Sequence, residues 1–265
     1  MELLHLILLG IVQGLTEFLP VSSSAHLIIL PYIAGWEDQG LMYDIAAHAG
    51  SLAAIIFYFR RDLGKIILSG VSYLSHRKTN ADSLLLWYLV VATIPIGIIA
   101  FLFYSVVASL LRDPLIIAAA TIIFGLLLGW VDRTCSHSRH FEELKLKDAI
   151  IIGLAQALAL IPGTSRSGIT MTAGLMLGFD RTTTTRFSFL LAIPTVMLAT
   201  GYECYRYLVL GAQAEPFSFI IVFLTSAISA WLAVYLFLEF IERTGMLPYV
   251  IYRLFLGVIL LVVFI

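Results

Sequence analysis

QGLTEFLPVSSSAH, residues 13–26, puts an acid, a histidine and three consecutive serines inside an otherwise apolar chain. Glu17 is followed by Phe18-Leu19-Pro20, and His26 runs straight into LIILPYIA. Proline removes a backbone donor and breaks a helix, so this stretch predicts a helix, an interruption and a second helix. Groups of this kind among residues that prefer lipid are expensive, and by default they mark function.

The surroundings define the solvent. The chain has 265 residues, 60% of them hydrophobic and only 12% charged. Its mean hydropathy is +0.99, whereas soluble domains carry about 25% charged residues. With several apolar runs near the length of a bilayer span, this is an integral membrane protein. A net charge of -1 gives no reason to expect a nucleic-acid partner. Glu2 stands where a basic leader would be, so a cleaved signal peptide is not expected. Cys135 and Cys204 lack metal-ligand spacing and read as packing residues.

Long apolar segments at about 41–59, 84–105, 114–131, 187–208, 217–238 and 248–265 predict six spanning helices. Two further stretches, about 1–33 and 148–178, are interrupted by FLPVSSSAH and by IPGTSRSGIT. Broken backbone at membrane depth survives where protein or a wet cavity surrounds it, so both are expected to be re-entrant hairpins. They also align without a gap: Gly10 with Gly153, Gln13 with Gln156, Ser22 with Ser165, and Ser24 with Ser167. Glu17 falls opposite Leu160, Ser23 opposite Arg166, and His26 opposite Ile169. Duplication is the better reading, with repeat one at about 1–131 and repeat two at about 148–265 of a single integral membrane domain.

Most basic residues lie in the connections at 60–82, 132–147, 179–186 and 239–253, among them Arg60, Arg61, Arg77, Lys78, Lys145 and Lys147. The connections at 35–40, 106–113 and 203–215 hold Arg112 and Arg206. The positive-inside rule makes the first group cytoplasmic. The first hairpin then enters from outside and the second from the cytoplasm. The expected fold is an all-α polytopic membrane protein of inverted-topology repeats, with six full transmembrane helices plus two broken re-entrant helical hairpins. Such folds build a shared site near the midplane, here opening to the outer side of the cell membrane.

On a helix, Gln13 and Glu17 share one face. The serines after Pro20 are good N-caps, and a helix N-terminus suits phosphate. Arg166, the one basic residue expected within the membrane, offers a fork of donors matched to phosphate oxygens. Ser22, Ser24, Ser165, Ser167 and Thr170 would add hydroxyls, and Gly163 a close backbone approach. The bland alternative is an Arg166–Glu17 pair that merely joins the hairpins.

The motifs QGLTEFLPVSSSAH and PGTSRSGIT resemble the two signatures of the BacA/UppP family, the bacterial undecaprenyl-diphosphate phosphatases. The resemblance continues in YDIAAHAGSLAAIIFYFRRD (43–62), FSFLLAIPTVMLA (187–199) and PYVIYRLFLGV (248–258). It implies removal of the terminal phosphate from undecaprenyl diphosphate, recycling the carrier for peptidoglycan synthesis, and bacitracin tolerance at raised expression. The family's acidic motif, written (E/Q)-x-x-x-E, here runs from Gln13 to Glu17, an amide and a carboxylate. His48 falls where some relatives have glutamine.

The chemistry of the residues agrees, because phosphoryl transfer mostly needs positioning and charge neutralisation. Arg166 would hold the diphosphate. Ser23 or His26 would attack phosphorus or orient a water, the choice being left open. Glu17 would be the base or, with Gln13 and His48, hold a divalent cation, Mg or Ca; no organic cofactor is expected. Expected partners are a polyprenyl diphosphate, membrane lipid and, left open, a homodimer. The competing function is a lipid-phosphate flippase or anion transporter using the same site, which would need the clamp but no nucleophile or base.

Overall fold

The computed structural model describes residues 3–35, 40–76, 80–103, 113–209 and 215–264. Glu2, Arg77, Lys78, Arg112, Ile265 and the connecting residues 36–39, 104–112 and 210–214 lie outside the described residues. Helices account for nearly all of the rest: α1 Leu3–Phe18, α2 Ser23–Ala34, α3 Leu41–Tyr58, α4 Arg60–His76, α5 Ala81–Leu102, α6 Pro114–Thr134, α7 Leu146–Gln156, α8 Arg166–Met176, α9 Arg181–Val209, α10 Pro216–Thr244 and α11 Leu247–Phe264. No strand occurs among the described residues, which form one isolated bridge, Arg139 to Phe179.

Local chemistry sets many of these ends. Asn80 opens α5 through a capping box with Ser83, each side chain bonded to the other's backbone N–H at 2.8 and 3.0 Å. Asp113 caps α6 by accepting from Leu115 N at 2.7 Å, with Pro114 in the first turn. Gly245, at φ 62°, closes α10 in a conformation that glycine adopts without penalty.

Helices α3, α5, α6, α9, α10 and α11 are long and apolar enough to cross a membrane, six as expected. Their outward faces carry apolar side chains such as Phe101, Leu208 and Val262, all strongly exposed, as lipid contact requires. Helices α7 and α8 have 11 residues each, roughly 16 Å, about half a hydrocarbon core.

Three expectations change. The connection at 60–82 is largely a helix, α4, whose alternation of Arg60, Arg61 and Lys65 with Ile66, Ile67 and Leu68 hides a helical face inside a charged stretch. The connection expected at 239–253 shrinks to Gly245 and Met246, because α10 and α11 continue on either side. Consequently Arg166 is not the sole basic residue within a span: Arg253 lies in α11 with 0% of its surface exposed.

Small residues let the helices close up. A Cβ at Gly14 of α1 would collide with the backbone of Ser226 in α10, and one at Gly153 of α7 would sit 2.5 Å from the Ala92 carbonyl of α5. The main core joins α1, α3, α5, α9 and α10 around Phe18, Ile55, Leu89, Phe187, Phe189 and Phe237. The basic connections gather at one end of the bundle. There Arg181 pairs with Asp132 at 2.7 Å, Arg139 with Asp148 at 2.6 Å, and Arg186 with Asp62 at 3.1 Å, while Thr182 bonds Glu242 at 2.6 Å.

Candidate active site

The two interruptions meet. In the first, α1 ends at Phe18 and α2 begins at Ser23, with Ser22 held at φ 71° between them. In the second, α7 runs on into a 3-10 turn, Ala157–Leu160, and α8 begins at Arg166 after Ser165 at φ 69°. Among the described residues these serines are the two non-glycine positions with positive φ, and they stand opposite each other in the ungapped alignment of the two interrupted stretches. A non-glycine residue there stores roughly 1–3 kcal/mol of strain, which clusters at functional sites. Each is tied to its neighbour: Ser22 Oγ lies 3.2 Å from Ser24 Oγ, and Ser165 Oγ 3.2 Å from Ser167 Oγ.

The hairpins also grip each other. Gly163 N donates to Ser24 Oγ at 3.3 Å, and Ser167 Oγ donates to Leu19 O at 2.8 Å. Gly163, at φ 91°, faces the Ile117 carbonyl so closely that a side chain would be excluded. Thr170 Oγ bonds Ser188 Oγ at 2.7 Å and fastens α8 to α9.

Between the hairpins lies a cleft of about 230 Å³, to which Glu17, Ser22, Ser23, Ser24, His48, Ser165 and Arg166 contribute the polar wall. Ile96, Ala159, Thr195, Val196 and Ala199 complete its lining. Glu17 is the hub. Its Oε2 accepts from Gln13 Nε2 and from Ser23 Oγ, both at 2.9 Å, and its Oε1 accepts from Arg166 Nη2 at 3.2 Å. His48, steered by a 2.8 Å bond from Nδ1 to the Asp44 carbonyl, holds Nε2 3.9 Å from the same Oε2.

The ion pair anticipated as the bland alternative therefore exists, yet it uses one arm of the guanidinium. Arg166 Nη1 is buried with no hydrogen-bond partner among the described residues. A buried donor left unpaired costs about 1–3 kcal/mol, and more on a cation, unless a ligand supplies the missing acceptor. The N-termini of α2 and α8 open on the cleft at Ser23 and Arg166, adding positive potential.

The expected site residues thus divide. Glu17, Ser22, Ser23, Ser24, His48, Ser165 and Arg166 line the cleft, and Gln13 orients Glu17 from one turn away. Ser167, Thr170 and Gly163 make the hairpin contacts given above. His26 faces elsewhere: Nδ1 donates to Ser22 O at 2.7 Å, and Nε2 accepts from the Tyr252 hydroxyl at 2.6 Å. Serine 23 touches the carboxylate; the histidine does not.

Sequence reading missed Tyr252 and Arg253. Arg253 Nη2 donates to the carbonyls of Gly163 and Thr164, each at 2.9 Å, and Nε to Thr121 O at 3.1 Å. It clamps the loop that leads into Arg166. A cation inside PYVIYRLFLGV is the available signal, but its place at the end of the basic stretch 239–253 reads as a surface connection.

A hydroxyl on a carboxylate, beside a half-free guanidinium, is the constellation for attack on a phosphorus centre. The sequence model of a family described as bacitracin resistance protein BacA matches residues 6–259. A protein of Stutzerimonas stutzeri named undecaprenyl-diphosphatase 2 is 51% identical, over 100% of this chain and 99% of its own. An undecaprenyl-diphosphatase of Campylobacter concisus is 49% identical over 100% of both chains, and one of Teredinibacter turnerae 47% identical over 99% of both. With that match along nearly its whole length, the chain belongs to the BacA family.

Proposed function

We propose that this protein is an undecaprenyl-diphosphate phosphatase. It hydrolyses undecaprenyl diphosphate to undecaprenyl phosphate and inorganic phosphate, recycling the lipid carrier for cell-wall polymers, the activity behind bacitracin resistance. One observation carries the reading: Ser23 Oγ donates to Glu17 Oε2 at 2.9 Å in the same cleft as the unpartnered arm of Arg166. The names of the 45–51% identical relatives supply the substrate.

In this mechanism the diphosphate enters against Arg166 and the N-termini of α2 and α8. Ser23 Oγ attacks the terminal phosphorus while its proton passes to Glu17 Oε2, and the P–O bond to the leaving polyprenyl phosphate breaks. Water then attacks the phosphoserine, and the serine oxygen takes back a proton. Arg166 neutralises the equatorial oxygens in both steps. His26 would act through Ser22, holding the turn that presents Ser23.

For a divalent cation, Mg or Ca, Gln13 Oε1 is buried without a partner among the described residues, beside Glu17 and His48. No group of three His, Cys, Asp or Glu residues that could hold a metal ion occurs among the described residues, so Gln13, Glu17 and His48 would hold a cation only with further ligands from the substrate. When bound it would neutralise developing charge.

The reading includes inverted repeats. Matching α1, α2, α3, α5 and α6 with α7, α8, α9, α10 and α11 pairs the contact of α1 with α10 to that of α7 with α5, which supports a two-fold relation. The short α7 and α8 support a re-entrant hairpin. Ile96, Val196 and Ala199 lie beyond the midpoints of α5 and α9, away from the basic connections. With the positive-inside rule this supports a cleft opening on the outer, periplasmic side. Surrounding lipid and a homodimer complete the proposed partners.

A flippase or anion carrier would need the clamp but not the Ser23–Glu17 contact. Phosphate release by the purified protein from a long-chain polyprenyl diphosphate separates the two. Ser23→Ala and Glu17→Gln should abolish release and retain binding; near-normal turnover in either would remove that residue from the mechanism.

A further inference from the structure

Helix α11 reaches both turns of the cleft with two consecutive residues, Tyr252 and Arg253. Tyr252, Leu256 and Leu260 are spaced four apart and share one face of the helix. On that face Leu256 and Leu260 pack with Ala25 and Ile29 of α2 and with Ile117 and Ala118 of α6 in a small buried core. Tyr252 stands one turn before Leu256, its ring stacked on that of His26 with centroids 5.5 Å apart and planes within 3°. Neither Tyr252 nor His26 is among the residues lining the cleft.

The hydrogen bonds fix a direction. A carbonyl oxygen only accepts, so the 2.7 Å bond between His26 and Ser22 O puts the ring proton on Nδ1. In the neutral ring Nε2 is then a lone pair, and the Tyr252 hydroxyl donates to it at 2.6 Å. The imidazole is pinned at both nitrogens, and through it the Ser22 carbonyl is held. Because a peptide group is planar, a held Ser22 carbonyl also sets the nitrogen of Ser23, from which that side chain projects. Ser22 is the residue at φ 71°, a conformation that its surroundings must enforce. Arg253 does the same in the second hairpin, holding the carbonyls of Gly163 and Thr164 ahead of Ser165 at φ 69°. One helix thus braces the carbonyls at both strained turns.

Resting on the phosphatase reading, we propose that Tyr252 is a positioning residue for the nucleophile, aligning Ser23 with Glu17 through His26 and the Ser22 carbonyl. It touches no reacting atom. Losing its hydroxyl frees the imidazole at Nε2, lets the peptide between Ser22 and Ser23 tilt, and disturbs the 2.9 Å contact of Ser23 Oγ with Glu17 Oε2. Attraction for the diphosphate stays with Arg166 and is unaffected. The loss therefore falls on kcat, because displacing a reacting atom slows the chemical step without weakening the bound state. A tyrosine 44% exposed on the flank of α11 would otherwise tolerate removal of its hydroxyl.

Tyr252→Phe is the test, since it deletes the hydroxyl and keeps the stacked ring. Phosphate release from a long-chain polyprenyl diphosphate should show kcat lowered about tenfold and KM within about twofold of wild type. The unfolding midpoint in detergent should move by only a few degrees, which separates misalignment from unfolding. His26→Asn keeps an N–H for the Ser22 carbonyl but lacks the lone pair that the hydroxyl serves. Adding Tyr252→Phe to His26→Asn should therefore change kcat by less than about twofold. Tyr235→Phe removes a hydroxyl of like exposure from α10, where its ring stacks on Trp231, and should change neither constant. A kcat loss below about threefold in Tyr252→Phe, a loss carried by KM alone, or a full second loss in the His26→Asn background would overturn the positioning role. Each of those results leaves the phosphatase reading intact; a wild-type protein that releases no phosphate would overturn that reading and the role of Tyr252 with it.

Discussion

Replacing Arg253 by methionine should cripple turnover without altering a single residue of the cleft. The side chain is fully buried between α6 and α11, and its three hydrogen bonds end on the carbonyls of Thr121, Gly163 and Thr164. Hydrogen bonds between helices in membranes contribute about 0.6 kcal/mol on average and up to about 1.7, so three of them stabilise by roughly 2–5 kcal/mol. Removing the guanidinium also relieves the cost of holding a cation at membrane depth, about 2.5–3.5 kcal/mol on insertion scales. The two terms nearly cancel, and global stability should fall by no more than about 2–3 kcal/mol. Catalysis has no such offset. Gly163 and Thr164 immediately precede Ser165 and Arg166, and a shift of about 1 Å in a positioning group can cost on the order of a hundredfold. The expected result is a fall of about a hundredfold in kcat/KM for phosphate release, with a thermal unfolding midpoint in detergent lowered by only a few degrees. Arg253→Lys, which can still reach one or two of the carbonyls, should recover part of the rate. A methionine variant within threefold of wild type would refute the idea that this clamp positions Arg166.

Arg166→Lys keeps the charge but loses the fork, so turnover should drop by orders of magnitude while membrane insertion and folding persist; wild-type turnover would show that the second nitrogen is idle. Cysteines introduced at 106–113 should be labelled from the outer face and those at 70–76 should not, and the reverse pattern would invert the orientation. His140, fully exposed outside the spans, is held above its ordinary pKa of 6.5, first by its 2.6 Å hydrogen bond with Asp180 and then by that carboxylate's charge. A raised histidine pKa stabilises fully below 6.5 and is lost as pH rises through the folded value, so amide exchange at Arg139 and Asp180 should quicken above pH 6.5 beyond its intrinsic trend. His140→Ala should remove that excess; an unchanged profile would show that the contact carries no coupling.

Much of this was legible because lipid punishes error. Six apolar runs could hardly be anything but spans, and each is a helix, with α9 starting and α10 ending six residues beyond the expected bounds. Pro20, Pro162 and the serines after them marked the two breaks for the same reason: unpaired backbone inside an apolar run needs a purpose. Glu17 and Arg166 were legible as isolated charges, and Ser23 as one of three consecutive serines, with the choice between it and His26 left open. What sequence could not supply was direction. His26 sits three residues after Ser23, within one helical turn, yet its ring turns toward Tyr252 rather than Glu17. Arg253 was hidden by its place near a charged connection, where a cation is ordinary.

The aligned positions of the two hairpins fall into two sets, and their contacts explain the split. Ser22 and Ser165 share the positive φ, and Ser24 and Ser167 each reach across to the opposite hairpin's backbone, at Gly163 N and Leu19 O. These matched residues build the frame, and a duplicated frame must keep them in both copies if the hairpins are to lock. The unmatched pairs carry the charge: Glu17 opposite Leu160, Ser23 opposite Arg166. A symmetric pair of serines would offer two nucleophiles and no clamp; a symmetric pair of arginines would repel and leave nothing to attack. A symmetric pair of carboxylates facing a diphosphate would add negative charge where the reaction needs it neutralised. Phosphoryl transfer is itself asymmetric, with an electron-rich attacker on one side and a cation on the other. In the proposed duplication, an inverted repeat becomes an enzyme by diverging at the few positions where its two halves meet the substrate.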